Sequence, residues 1–177
     1  MANQIESYWE LVEPIFRVVD IYNGSEKYLQ SSSKVSRPSL LLFAAHMCLA
    51  EIHNGGFLQF FWNNTGVLEP EAVEGFTVIG MSQMSSLLTE AAALLGSTYP
   101  RDREQRWDAL VLASGHTDDD MERFVQQHQN LYLAFAEAAK SLPFDAMEQK
   151  FWTTAETENG GFQEAATRYA RSLQSLQ

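Results

Sequence analysis

Glu51-Ile52-His53-Asn54-Gly55-Gly56-Phe57-Leu58-Gln59-Phe60-Phe61-Trp62-Asn63-Asn64-Thr65-Gly66 decides how the rest of this chain is read. The apolar run from Leu40 to Ala50 leads into it and has the character of a buried helix. Asn54, Gly55 and Gly56 tolerate positive φ, so they end that helix and turn the chain sharply. Phe57, Phe60 and Phe61 then recur at i, i+3 and i+4, which places three rings on one face of a second helix. Leu58 and Trp62 lie on another face. A short helix that is apolar most of the way round is buried, in a core or at an interface. Asn63-Asn64-Thr65-Gly66 stops it.

Upstream, residues from about Ile5 to Tyr22 predict an amphipathic helix. Glu6, Glu10, Glu13, Arg17 and Asp20 share one stripe, with Tyr8, Leu11, Val12, Ile15, Phe16, Val18 and Val19 opposite. Pro14 removes a backbone donor, so this helix either kinks there or begins near Glu13. Asn23-Gly24 ends it. A polar connection from Ser31 to Pro38 gives residues 1–37 the look of an N-terminal helical extension.

Downstream, Glu69-Pro70-Glu71 opens a helix with proline in its first turn and carboxylates at its positive end. Met81 to Leu95 is helical between Gly80 and Gly96, and a short helix from about Asp102 to Leu112 turns Trp107, Leu110 and Val111 inward. Thr117 or Asp118 caps what should be the longest helix, running to about Ser141, with Phe124, Leu131, Phe135 and Ala138 along one side. A short helix over Pro143–Thr154 follows. Glu158-Asn159-Gly160-Gly161-Phe162 then repeats the corner motif before a last amphipathic helix; reuse of a good corner is favoured over duplication, because the flanks do not align. No stretch alternates as a strand does. The expected fold is all-α, with about seven to nine helices in one compact domain over residues 1–177.

At 177 residues the chain is long enough to bury a substantial core, and 45% hydrophobic content fits packing rather than disorder. Twenty-three Asp and Glu against 12 Lys and Arg give a net charge of −11, which disfavours direct nucleic-acid binding and an anionic membrane surface. A basic partner is allowed. The single cysteine, Cys48, excludes an intrachain disulfide and reads as a small buried hydrophobe. Without a signal core or an apolar run long enough for a bilayer, the expected location is cytoplasmic.

Local motifs for chemistry are missing. His46 and His53 share a helix face but lie roughly 10 Å apart along the axis, too far to hold one zinc ion. His116-Thr117-Asp118-Asp119-Asp120-Met121-Glu122 lacks the glycine and distal glutamate of a calcium loop. No phosphate loop, dinucleotide fingerprint or nucleophile elbow occurs, so no cofactor, metal or catalytic residue is assigned.

Asn54-Gly55-Gly56-Phe57, Gln59-Phe60-Phe61, Asn63 and Gly66 together resemble the signature of a bacterial family, the DNA-mimic protein nineteen family. The resemblance runs from about the second helix to the C-terminus. It implies an all-helical fold. For the family's namesake it also implies a dimer whose acidic surface imitates duplex DNA and occupies a transcription factor's DNA-binding face. The motif is apolar, so carboxylates elsewhere would form the mimicking surface. Glu6, Glu10 and Glu13 would be about 4.5–6 Å apart along a helix, comparable with phosphates along a DNA strand. Asp20 continues that stripe; Glu69, Glu71 and Glu74 form a second cluster, Asp102, Glu104 and Asp108 a third, and Asp118, Asp119, Asp120 and Glu122 a fourth. The expected activity is therefore a non-enzymatic acidic DNA mimic that regulates transcription by binding a basic DNA-binding protein, with self-association into a homodimer. An adaptor or immunity-type module using the aromatic patch is the alternative, followed by a hydrolase with dispersed carboxylates.

Overall fold

The computed structural model describes residues 5–174, and among them every regular element is helical. Ten α-helices follow in order: α1 Trp9–Val12, α2 Ser25–Ser32, α3 Arg37–Trp62, α4 Glu69–Val78, α5 Ser82–Ala93, α6 Arg103–Ser114, α7 Asp118–His128, α8 Leu131–Ala139, α9 Phe144–Thr157 and α10 Phe162–Gln174. Short 3-10 turns over Glu13–Arg17, Asn64–Leu68 and Glu158–Gly160 join some of them.

Helix α3 is the axis of the molecule, touching α1, α4, α6, α8 and α9. Ser36 caps it by accepting from the Ser39 backbone N–H at 3.3 Å, with Pro38 in its first turn. It breaks at Gly55 and Gly56, where Gly56 has φ +76° and ψ −175°. The expected corner is present. Beyond it Phe57, Phe60 and Phe61 are fully buried. Phe57 meets Phe151 edge-on at 5.4 Å, and Phe61 packs 5.9 Å from both Phe144 and Tyr99.

Two expected long helices are divided. The N-terminal one is a single turn, α1, followed by a 3-10 turn that starts at Glu13 with Pro14 in its first turn. The missing proline N–H and the ring clash prevent α-continuation through that point. The segment instead lies against α10, where Arg171 Nε donates to the Ile5 carbonyl at 2.9 Å and Tyr8 meets Phe162 at 5.5 Å. The predicted helix from Thr117 to Ser141 splits at Gln129, which has φ +50°. Asn130 accepts from the Leu133 N–H at 3.1 Å and so starts α8 afresh. Helix α2 was not expected. These divisions, with the unexpected α2, raise the helix count above the seven to nine anticipated.

The second Asn-Gly-Gly-Phe is also a corner, but a differently built one, with positive φ at Asn159, Gly160 and Gly161. Glu158 from this corner accepts from the Gln83 and Met84 N–H groups at 2.9 and 3.1 Å, and thereby caps α5.

Candidate functional site

Polar residues of the central motif hold the corner together. Glu51 Oε2 accepts from Gln59 Nε2 at 2.8 Å and from Asn63 Nδ2 at 3.0 Å, joining the two halves of α3 across the break. Glu148 on α9 accepts from the Phe57 N–H at 2.8 Å, capping the second half. Burial raises the Glu148 carboxyl, and the bond from Phe57 works against that shift. The C-terminal end of α3 is held by Arg106, which is 1% exposed and lies on α6. Its Nε donates to the Phe61 carbonyl at 2.9 Å and its Nη2 to the Asn63 carbonyl at 2.8 Å. A cation at the negative end of a helix is favourably placed. Gly66 leaves room for it: a Cβ there would come within 2.7 Å of Arg106 Nε and 2.8 Å of the Phe60 carbonyl.

Trp62 completes this wall. It stacks on Trp107 at 4.3 Å, meets Phe135 at 4.7 Å, and is only 8% exposed. Arg103 sits over the Trp107 ring at 4.5 Å. The apolar surplus that suggested an interface is therefore covered within the chain. Trp62 and Phe135 accordingly offer little surface to a partner.

The proposed acidic residues divide into structural and free groups. Glu69 and Glu71 are each 5% exposed and cannot meet a partner, which corrects their assignment to an interaction surface. Arg101 reaches Glu71 with both terminal nitrogens, at 2.8 and 2.9 Å, and Arg37 approaches the same carboxylate at 3.5 Å. Burial alone would raise the Glu71 carboxyl, but the Arg101 guanidinium holds it below its ordinary value. Glu74 pairs with Arg37. Asp20 accepts from the Asn23 side chain and from the Tyr22 and Asn23 N–H groups, which lower its carboxyl. Glu10 accepts from the Glu6 and Ser7 N–H groups at 2.8 and 3.1 Å. Glu6, Glu10 and Glu13 are exposed, but Glu6 precedes α1 and Glu13 lies beyond it, so no continuous helix sets their spacing. Asp120 forms a capping box with Thr117 and pairs with Arg123; the Thr117 N–H and hydroxyl lower its carboxyl. Asp102 caps α6 through the Glu104 and Gln105 N–H groups.

The other assigned carboxylates stay exposed, as Glu6 and Glu13 do. Glu104 and Asp108 on α6, with Asp118, Asp119 and Glu122 on α7, are exposed and form no ion pair among the described residues. Both helices pack on α8. Of the fourth predicted cluster Asp118, Asp119 and Glu122 are exposed and unpaired among the described residues, and of the second only Glu74 is exposed.

A model of the DMP19-like proteins matches residues 33–173. The chain belongs to the DMP19-like family. No curated protein and no solved structure matches it. No helix among the described residues is long and apolar enough to cross a membrane, and no cluster of three or more His, Cys, Asp or Glu side chains among them could hold a metal ion.

Glu69 gives a pH-dependent signature. It lies buried at the start of α4, and burial, with neighbouring Glu71 adding to it and Arg101 opposing, pushes its carboxyl up to about 7. The folded state therefore prefers the protonated form. Its contribution is fully present below the unfolded carboxyl's ordinary value and is lost as pH rises through about 7. The loss amounts to roughly 3 kcal/mol at pH above 8. Glu69→Gln should match the parent in denaturant midpoint near pH 4 and exceed it at pH 8. An equal difference at both pH values would refute the assignment.

Proposed function

We propose that this chain is a non-enzymatic acidic DNA mimic that occupies the DNA-binding face of a basic DNA-binding protein, such as a transcription factor. The observation that carries this reading is the run of exposed carboxylates on the successive helices α6 and α7, where Glu104, Asp108, Asp118, Asp119 and Glu122 form no ion pair among the described residues. Membership of the DMP19-like family supports it. Dense carboxylates without counter-charges attract the Lys and Arg side chains that otherwise neutralise phosphates. Association should be fast and should weaken steeply with added salt. The two-chain state implied by the family belongs to the same proposal, and sedimentation at micromolar concentration reads it.

The partner is first captured from the native cell. Asp118→Lys, Asp119→Lys and Glu122→Lys together should weaken its binding by about 100-fold or more, through like-charge repulsion across the interface. Glu6→Lys, Glu10→Lys and Glu13→Lys together should cost far less, because those carboxylates form no helical row. Duplex DNA should displace the unmodified chain. A partner that holds DNA and this protein simultaneously would overturn the proposal.

A hydrolase is the second reading, because Tyr8, His46, His53, Glu156 and Glu164 line one cavity of about 460 Å³. Tyr8 hydroxyl and His46 Nδ1 are hydrogen bonded at 3.0 Å, and burial lowers the His46 imidazole. Partner binding that survives loss of both histidines favours the mimic.

A further inference from the structure

Two of the exposed carboxylates, Asp118 and Glu122, border an apolar groove. Val111 of α6, Met121 and Val125 of α7, and Leu131 and Phe135 of α8 line a cavity of about 420 Å³, with Asp118 and Glu122 at its edge. Asp118, Met121, Glu122 and Val125 fall at i, i+3, i+4 and i+7, so one face of α7 supplies both the acids and the apolar wall. Met121 and Phe135 are the floor, at 9% and 7% exposure. Val125 and Leu131 are 36% and 45% exposed. Duplex DNA offers its partners no such apolar trough.

We infer that this groove seats an amphipathic basic helix of a protein partner, with two or three apolar side chains in the trough and Lys or Arg against Asp118 and Glu122. The inference rests on the mimic proposal for these carboxylates and adds the shape of what meets them. Charge selects the occupant. A second copy of this chain would bring a net charge of −11 to the same rim, where like charges repel. A basic helix brings the complement. Helix α7 has 11 residues, which corresponds to about 16 Å, or three turns of an occupant. Anchors at i, i+3 or i+4, and i+7 match that length. Arg123, next to Glu122 in the chain, is paired with Asp120.

Two synthetic probes test this on the whole chain. One is a helical peptide with Leu at i, i+4 and i+7 and Lys at the positions flanking that stripe; the other is oligolysine of equal charge. The Leu-Lys peptide should bind at least about ten-fold tighter, because apolar burial adds to the shared charge attraction. Amide shifts should concentrate on α6, α7 and α8. Val125→Ser with Leu131→Ser should erase the preference while leaving oligolysine binding and the fold unchanged, both side chains being partly exposed. Asp118→Asn with Glu122→Gln should weaken both peptides. If both peptides bind equally at these carboxylates, the groove inference fails and the mimic proposal stands. If neither binds, both readings fail. Shifts on another face would overturn the groove. So would sedimentation in which Val125→Ser with Leu131→Ser converts a two-chain species into single chains, since a second copy would then be the occupant.

Discussion

Arg106→Met is expected to lower the free energy of unfolding by roughly 4 kcal/mol, although the substitution puts an apolar side chain into a buried site. Replacing a buried ion pair with apolar groups is often neutral, because both charges are removed together. Here only one partner goes. Arg106 has no buried carboxylate partner; its donors satisfy the carbonyls of Phe61, Asn63 and Arg101. Methionine removes these donors from the Phe61 carbonyl in α3 and the Arg101 carbonyl before α6, and leaves the Asn63 carbonyl only the Gly66 N–H at 3.2 Å. Each lost bond costs about 1–3 kcal/mol, moderated where water reaches the acceptor. Arg106→Lys keeps the charge but not the planar fork, so it should recover only part of the loss. Urea titrations of the three proteins check the order. A methionine variant within about 1 kcal/mol of the parent would show that the arginine does not hold this helix end.

Gly56→Val should be comparably damaging, and Gly55→Val clearly less so. At φ +76° Gly56 occupies a region that a β-branched residue almost never adopts. A Cβ there would also come within 2.1 Å of Glu148 Oε1, the atom that accepts from the Phe57 N–H at 2.8 Å. Strain and the lost cap together amount to roughly 3–4 kcal/mol. Gly55 has an extended φ of −160°, and its Cβ would meet only the Gln59 side chain, closest at its movable amide end (2.1 Å) with the Gln59 Cβ at 3.0 Å. Displacing that end sacrifices the Gln59–Glu51 hydrogen bond, about 1 kcal/mol. Thermal melts of both variants separate the two cases. Equal shifts would mean that the corner is not strained where the structure places it.

Much of the fold was legible in residues that act locally. The Asn54–Gly56 turn, the ring spacing of Phe57, Phe60 and Phe61, and the Thr117 cap depend on neighbours within about one helical turn, which is the range that sequence patterns report. The capping role offered for Thr117 came with Asp120 as its reciprocal partner, which removed that carboxylate from the free set. Pro14 signalled a break in the first helix, and the break is real. Asn130 before Leu131-Tyr132-Leu133 was an available sign of a new helix start, masked by apolar spacing that continued in phase across it.

The candidate site divides along the same line. Exposed carboxylates that complement a helix start and buried ones that need an arginine look identical in sequence, as Asp118 and Glu71 do. Their difference is set by Arg101, thirty positions from Glu71, and by Arg37 across the helix pair α3 and α4. Desolvation and long-range pairing are properties of the packed molecule, so no local window contains them. The sequence by itself determined an all-helical chain with a glycine corner, a buried aromatic face and a surplus of acid, because backbone freedom, side-chain periodicity and charge count are local or additive. Only the tertiary structure decided that Arg106 locks the end of α3, that Glu69 and Glu71 lie inside, and that Asp118 and Glu122 stay exposed beside an apolar groove, because those facts depend on which distant residues exclude water from one another.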